Sequence, residues 1–221
     1  ANAAFLPFAS RSRDSEMISV LILTAGRAEL LRQCLDSLHR GTRVPDETIV
    51  LVTRDDPDAV ALLSRHQLPG LRWSAWESKH GASYAEARNA IVRMAVSEKI
   101  AFIDDDCIAA PDWLSRCETS LDRHDAVGGI VTPGTPLIYP PWWHPDMAWL
   151  AGVSVPGALT DATGGRFYPA SANLAVRRAA LLAEPFQEIG GAFSSSGKDY
   201  ATGREDAELW RRLRIMGYST A

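Results

Sequence analysis

Three consecutive aspartates, Asp104, Asp105 and Asp106, directly follow an apolar run over residues 99–103. Adjacent carboxylates repel one another unless a cation neutralises them. A divalent metal is the simplest such cation, because Mg²⁺ and Mn²⁺ prefer oxygen ligands and are commonly held by one or two carboxylates together with substrate phosphates. The tripeptide therefore indicates a ligand or metal site, and a solvated acidic turn is the alternative interpretation.

A second acidic pair, Glu205 and Asp206, follows a Gly/Ser-rich loop over residues 190–203 and opens the last helical pattern of the chain. Acidic side chains in a first turn complement the helix dipole, so plain N-terminal capping is one explanation. The other is chemical, because a carboxylate held near a substrate hydroxyl is a suitable general base. The residues alone leave both explanations open.

Polar turns follow the first two predicted strands. Thr24, Ala25 and Arg27 come after the first, and Asp55 and Asp56 come after the second. Such turns follow most strands, so each is a weak signal by itself. Both lie where a parallel sheet would present residues to a nucleotide, which makes them candidate binding residues.

Two further groups are candidates for contact with sugars or phosphates. Arg88 and Asn89 lie in an Ala-rich helical segment, where a solvated helix face is the ordinary explanation. Trp142 and Trp143 lie in a Pro-rich segment, and aromatic rings stack well on the apolar faces of sugars or dock at a membrane interface. They also fill cores, so the pattern does not decide between these roles.

The elements that must position these residues alternate along the chain. Apolar, β-branched runs predict strands over residues 18–24, 48–52, 71–76, 99–103 and 126–132. Apolar stripes at helical spacing predict helices over residues 29–39, 57–66, 83–97, from Pro111 onward and 205–216, and a strand with a short helix is expected from residue 172. This alternation is typical of an α/β fold with a mixed, mostly parallel sheet flanked by helices, in which ligands sit beyond the carboxyl ends of the strands.

Composition narrows the class of protein. The 221 residues are 46% hydrophobic and 23% charged, which suits one globular domain and excludes fibrous or wholly disordered chains. The formal charge of -4 gives no reason to expect a nucleic-acid partner. No apolar run is long enough to cross a bilayer, and three cysteines without C-x-x-C spacing suggest a reducing compartment. We therefore expect a cytoplasmic protein.

Six segments in order resemble the family 2 glycosyltransferases of the GT-A fold: SVLILTAGR, AEARNA, AFIDDDCIAAPDWL, SANLAVRR, IGGAF and GREDAELWRRLRIMGY. The resemblance covers residues 18–218. It implies one GT-A domain over residues 18–221 after an N-terminal extension over 1–17. A donor-binding half would span about 18–132 and an acceptor-side half about 133–221. The chain is expected to be the catalytic core of a longer enzyme, truncated at its C-terminus.

The resemblance also implies a reaction and its donor site. The family moves a sugar from a nucleotide-diphospho-sugar to a hydroxyl acceptor, with inversion at the anomeric carbon, often in bacterial polysaccharide or glycoconjugate biosynthesis. Asp104 and Asp106 match its DxD motif, in which Asp104 reaches the donor and both are assigned to an Mn²⁺ or Mg²⁺ ion. Asp105 lies beside them and is counted with the donor-binding residues. The remaining positions that match donor-binding residues are Thr24, Ala25, Arg27, Asp55, Asp56 and Arg88.

For catalysis, the resemblance implies that Asp206 is the base, with Glu205 beside it. Asn173 follows Ser171 and Ala172 where the family often has Gly-Ala or Gly-Gly, and we assign it to the acceptor side together with Trp142 and Trp143. The acceptor would be a glycan, a lipid-linked molecule or another hydroxyl compound. Membrane contact would be peripheral, at the inner face.

Two alternatives stay open at this point. A sugar-phosphate nucleotidyltransferase also places carboxylates and a metal on an α/β sheet, although the turn after the first strand is a poor version of its glycine-rich phosphate loop. A non-catalytic domain that binds sugar nucleotides or glycans is the other alternative, and two intact carboxylate motifs argue against it.

Overall fold

The computed structural model describes residues 17–53, 55–66, 68–76, 83–134, 140–144, 147, 152–154, 169–187 and 205–221. Its strands are β1 (Ile18–Thr24), β2 (Glu47–Thr53), β3 (Leu71–Trp76), β4 (Lys99–Phe102), β5 (Ala126–Gly128) and β6 (Leu174–Arg177). Its helices are α1 (Ala28–His39), α2 (Pro57–Arg65), α3 (Tyr84–Met94), α4 (Trp113–Leu121), α5 (Arg178–Ala183) and α6 (Glu205–Ile215), with a 3₁₀ turn over Ser171–Asn173.

The strands form one six-stranded sheet in the order β3-β2-β1-β4-β6-β5. The pairs β3-β2, β2-β1 and β1-β4 are parallel, with Val20 opposite Thr48 and Ala101 in register on its two sides. β6 is antiparallel to both β4 and β5. The predicted mixed, mostly parallel α/β sheet is therefore confirmed.

Alternate residues of the central strands enter two separate cores, because successive side chains in a strand point to opposite faces of the sheet. Leu21, Ile49 and Leu51 pack in the core that α3, α5 and α6 cover. Val20, Val50 and Val52 pack in the core that α1, α2 and α4 cover. Both faces of the sheet are thus buried, which explains why the central strands read as continuous apolar runs.

Most predicted elements are present with small shifts of their ends. The helix predicted over residues 83–97 ends at Met94, because Ala95 takes an extended conformation. The strand predicted over 126–132 is only three residues long and ends at Gly128. After α6, the amide of Ala221 donates to the carbonyl of Ala126 over 3.1 Å, so the last residues lie alongside β5.

Several predictions concern residues outside the described ranges: the N-terminal extension up to residue 16, the loop over 190–203 and much of the segment over 133–165. Among the described residues, no helix has both the length and the apolar character needed to span a bilayer.

Candidate active site

The three aspartates form a turn at the carboxyl end of β4, next to the carboxyl end of β1. The amide of Ile103 donates to the carbonyl of Leu21 over 3.3 Å, which carries the pairing of β1 and β4 up to the turn. The carbonyl of Asp104 accepts from the amide of Cys107 over 3.1 Å and from Sγ of Cys34 in α1 over 3.5 Å. The turn is therefore held by its own backbone and by α1.

Asp105 is the buried member of the three. Its Oδ2 accepts a 2.6 Å hydrogen bond from Oγ1 of Thr24, and Nη2 of Arg27 lies 2.6 Å from its Oδ1. Burial raises the pKa of the Asp105 carboxyl to about 6, although the Thr24 hydrogen bond and the charge of Arg27 act in the opposite direction. Asp105 therefore joins the end of β1 to the aspartate turn.

Asp106 is more exposed, and Nη1 of Arg27 lies 2.6 Å from its Oδ2. Burial raises the pKa of Asp104, and the negative charges of Asp106 and Asp206 raise it further, while Arg88 and Arg27 lower it. The carboxylates of Asp105 and Asp106 thus lie against the guanidinium of Arg27. A further cation would lower the energy of this cluster.

Asp55 and Asp56, the two aspartates after β2, have different surroundings. Asp56 is 3% exposed; its Oδ2 accepts from the amide of Gly26 over 2.5 Å and its Oδ1 accepts from the amide of Ala59 over 3.0 Å. The second contact caps the N-terminus of α2. Asp55 is exposed. The structure therefore gives Asp56 a structural role and leaves Asp55 on the surface beside it.

Arg88 is not on a solvated helix face. It is 7% exposed; Nη1 pairs with Oε1 of Glu205, and Nη2 donates to Oγ of Ser171 over 2.5 Å. Its guanidinium carbon lies 5.6 Å from the ring centres of both Tyr84 and Phe186. The side chain is therefore enclosed by α3, α6, the 3₁₀ turn and Phe186 in the segment after α5.

Asp206 lies in the first turn of α6 and is partly exposed, whereas the adjacent Glu205 is buried. The amide of Ser171 donates to Oδ2 of Asp206 over 3.0 Å. This contact brings the start of α6 to the residues that precede β6. Oδ1 of Asp206 accepts from the amide of Ala207 over 2.7 Å.

Asn173 is the last residue of the 3₁₀ turn. Oδ1 of Asn173 accepts from Nε1 of Trp113 over 2.8 Å, and its Nδ2 donates to the carbonyl of Ile130 over 2.8 Å. The side-chain amide of Asn173 thus connects α4 to the segment after β5. Trp142 is 70% exposed, and its ring centre lies 6.1 Å from that of Trp143.

Ser171 and the two aromatic residues around Arg88 were not among the predicted site residues. Ser171 appeared in the sequence only as a departure from the family's usual glycine. The sequence signal for Tyr84 was its spacing of four residues before Arg88, which places both side chains on one face of a helix. No comparable local signal points to Phe186, because its contact with Arg88 is formed by tertiary packing.

Within the described ranges, no three or more His, Cys, Asp or Glu side chains are grouped so that they could hold a metal ion by themselves. Asp104 and Asp106 provide hard oxygen donors of the kind that Mg²⁺ and Mn²⁺ prefer. Two carboxylates fit an ion whose remaining ligands come from substrate phosphates and water. They do not form a complete protein cage.

Comparison with known proteins decides the family. The model of "Glycosyl transferase family 2" matches residues 19–182. The chain belongs to glycosyl transferase family 2. This match spans β1 to α5 and includes the aspartate turn. The family match does not support the alternative that the chain is a sugar-phosphate nucleotidyltransferase.

Two curated relatives of this family 2 chain are similar over most of its length. It is 27% identical over 224 residues to the O-antigen biosynthesis protein RfbC of Myxococcus xanthus, covering 93% of this chain and 16% of that protein. It is 24% identical over 190 residues to the glucosyl-dolichyl phosphate glucuronosyltransferase of Haloferax volcanii, covering 82% and 57%. The chain thus spans only part of the curated relatives that it matches.

A solved structure shows the same fold. The mannosyltransferase PcManGT of Pyrobaculum calidifontis, in complex with GDP-Man and Mn²⁺, superposes with a TM-score of 0.64 at 18% identity, covering 93% of this chain and 54% of that one. The GT-A fold expected for a family 2 domain is therefore confirmed.

Proposed function

We propose that this family 2 domain transfers a sugar from a nucleotide-diphospho-sugar to an acceptor hydroxyl, with a divalent metal and with inversion at the anomeric carbon. The observation that carries the proposal is the grouping of the aspartate turn with Asp206. The amide of Ser171 holds Oδ2 of Asp206, and Ser171 begins the turn that leads into β6, where Leu174 pairs with Phe102 just before the aspartate turn. The candidate base and the candidate metal ligands therefore lie at the same edge of the sheet. Relatives that are named as transferases support the same reaction.

Asp104 and Asp106 are the residues that we assign to the metal. Mn²⁺ or Mg²⁺, when bound, offsets the negative charge that develops on the departing diphosphate. Mn²⁺ accompanies GDP-Man in the structure of PcManGT, which makes Mn²⁺ the first ion to test here. Asp105 keeps the turn in place through its contacts with Thr24 and Arg27. Arg27 supplies a second positive charge at the same edge.

The nucleoside would lie beyond the carboxyl ends of β1 and β2, where Thr24, Ala25 and Asp55 are found. Because Asp56 is 3% exposed and Asp55 is exposed, we assign base recognition to Asp55 and a supporting role to Asp56. Asp56 holds the amide of Gly26 and so fixes the turn on which the nucleoside would rest.

Asp206 would accept the proton from the attacking hydroxyl. A single displacement of this kind, with the acceptor in line with the departing diphosphate, inverts the anomeric carbon and needs no covalent intermediate on the protein. The described cysteines give no support to a thiolate nucleophile, because burial raises the pKa of Cys107 and of Cys117 to about 12 and raises that of Cys34 as well.

The acceptor would lie on the side of α4 and the segment after β5. The curated relatives point to a glycan or lipid-linked acceptor, in keeping with O-antigen biosynthesis and glucosyl-dolichyl phosphate. The exposed ring of Trp142 provides a surface suited to stacking on a sugar face. Asn173 would hold the neighbouring backbone in place. A peripheral position at the inner face of the membrane fits a lipid-linked acceptor.

The test is a thermal-shift screen of UDP- and GDP-linked sugars, GDP-mannose and UDP-GlcNAc among them, with Mn²⁺ or with EDTA. A ligand that binds only the folded protein raises the midpoint of unfolding by an amount that grows with the logarithm of its concentration relative to Kd. We expect at least one donor to stabilise the wild type only with Mn²⁺ and not to stabilise Asp106→Ala. NMR of the product then gives its anomeric configuration; a retained configuration would contradict inversion, and equal shifts with EDTA would contradict metal dependence.

A further inference from the structure

The ion pair between Arg88 and Glu205 is almost completely removed from water, with side chains 8% and 4% exposed. Taking two charges out of water is costly, and apolar residues of similar size often give equal or greater stability. A buried pair is therefore weak evidence for a stabilising role. The best-supported alternative is that it fixes one geometry where an apolar contact would allow several.

Contacts on several sides hold the guanidinium of Arg88. Besides Glu205, it donates to the Ser171 hydroxyl over 2.5 Å and lies 5.6 Å from the rings of Tyr84 and Phe186. Its helix is tied to the same partner, because the Asn89 side chain exchanges hydrogen bonds of 2.8 and 2.9 Å with the Phe186 backbone. The planar fork of Arg88 is thus set in one orientation.

The two groups that accept hydrogen bonds from Arg88 are both connected to Asp206. Glu205 precedes Asp206 in the first turn of α6. Ser171 accepts from Arg88 through its hydroxyl and donates to Oδ2 of Asp206 through its amide over 3.0 Å. Arg88 therefore connects α3 to the start of α6 along two routes, one through the helix backbone and one through the 3₁₀ turn.

We infer that Arg88 is a positioning residue for the proposed base Asp206 and does not act as a ligand of the donor phosphates. This inference rests on the proposed function. Its guanidinium is engaged by Glu205 and Ser171 and enclosed by two rings, which fits a fixed support better than a group that turns toward a ligand. The Arg88–Glu205 ion pair fixes the position of the Asp206 carboxylate relative to Asp104. The acceptor hydroxyl and the donor sugar would bind between these two aspartates.

The test compares Arg88→Met, Glu205→Met and the double variant Arg88→Met/Glu205→Met. Each single variant leaves a buried charge without its partner, so we expect a clear fall in Tm. The double variant replaces the pair by apolar side chains, and we expect its Tm to return to near the wild-type value. Its kcat for Mn²⁺-dependent nucleoside diphosphate release is expected to stay at least ten-fold below wild type, with the donor KM changed by less than two-fold.

Arg212→Met is the matched control. Arg212 lies on α6, the helix of Glu205, and its side chain is 13% exposed. It pairs with Glu184 and Glu208 at 2.8 and 2.9 Å but makes none of the contacts that connect Arg88 to Asp206. We expect it to change Tm without changing kcat. Ser171→Ala keeps the amide that holds Asp206 and removes only the hydroxyl, so a smaller, two- to five-fold loss of kcat is expected.

Hydrogen exchange provides a readout that does not depend on turnover. In the double variant we expect faster exchange in the peptides that carry residues 171–177 and 205–215, with unchanged exchange in β1 and β2. A double variant with wild-type kcat would overturn the inference and make the pair purely structural. A donor KM or Kd raised ten-fold at unchanged kcat would overturn it in favour of donor binding. If the wild type itself releases no nucleoside diphosphate from any donor in the screen, the proposed function fails and this inference fails with it.

Discussion

The amide of Gly26 lies 2.5 Å from Oδ2 of Asp56, so one carboxylate ties the turn after β1 to the start of α2. The same carboxylate caps α2 through Ala59. Two aspartates that are adjacent in the sequence therefore have separate tasks, because Asp56 is buried within the fold and Asp55 lies exposed beside it.

This difference predicts that substitutions of the two aspartates affect different properties, stability for Asp56 and donor binding for Asp55. Asp56→Ala removes a helix cap and a buried acceptor, so we expect the free energy of unfolding to fall by about 1–3 kcal/mol. Asp55→Ala is expected to leave that free energy unchanged and to weaken donor binding. Urea unfolding and donor titration in the presence of Mn²⁺ measure the two effects. Equal loss of stability in both variants would contradict the division of roles.

Asp206→Asn tests the base. The amide side chain keeps one oxygen for the Ser171 amide and loses the acceptor of the Ala207 amide, so we expect a small loss of stability with the fold and the donor Kd preserved. Transfer should fall by about 10²–10⁴-fold, the range that a general base contributes. Kinetics with a saturating donor measure the loss, and isothermal titration checks that the donor still binds. Transfer within a few-fold of wild type would reject Asp206 as the base.

The raised pKa of Asp105 predicts how stability changes with pH. The folded-state pKa of about 6 exceeds the ordinary value of 3.8, so folding takes up a proton between these values. The contribution of this group is fully present below about pH 4 and is lost as the pH rises to about 6, a change of about 3 kcal/mol. Asp105→Asn cannot titrate. In EDTA, the free energy of unfolding of the wild type relative to this variant should fall between pH 4 and pH 6.5. A difference that stays constant over this range would show that burial does not raise the pKa of Asp105.

Gly129 predicts a packing effect close to the acceptor side. A Cβ on this residue would overlap the side chain of Asn173, at a shorter distance than real Cβ contacts show, whereas a Cβ on Gly134 has no atom of the described residues within 4 Å. Gly129→Ala should therefore lower the free energy of unfolding by about 1–3 kcal/mol and disturb the hydrogen bond from Nε1 of Trp113 to Oδ1 of Asn173. Gly134→Ala is the control and should leave stability unchanged. Urea unfolding followed by tryptophan fluorescence compares the two.

Much of the fold could be predicted because its information is local. The apolar run of β1 and the stripe of Leu31, Leu35 and Leu38 in α1 are visible in consecutive residues. The order of the strands is not local, and neither is the insertion of antiparallel β6 between β4 and β5. These depend on contacts between segments far apart in the chain, which periodicity does not report.

The candidate site shows the same limit. The aspartate turn and the acidic pair at α6 could be found as motifs, because their residues are adjacent. The burial of Arg88 could not, since its partner Glu205 lies 117 positions away and its aromatic neighbour Phe186 follows a different helix. A cation in a helix pattern looks the same in the sequence whether it faces water, a phosphate or a buried carboxylate.

The reversed direction of β6 has a consequence for how this domain can vary. β5 runs parallel to β4, so the chain leaves β5 at the edge of the sheet that holds Asp104, and it enters antiparallel β6 at the same edge. Both anchor points of the intervening segment therefore flank the proposed reaction site. Because both ends of the segment are held by paired strands, a change in its length would enter the domain beside Asp104 and not on the opposite edge of the sheet.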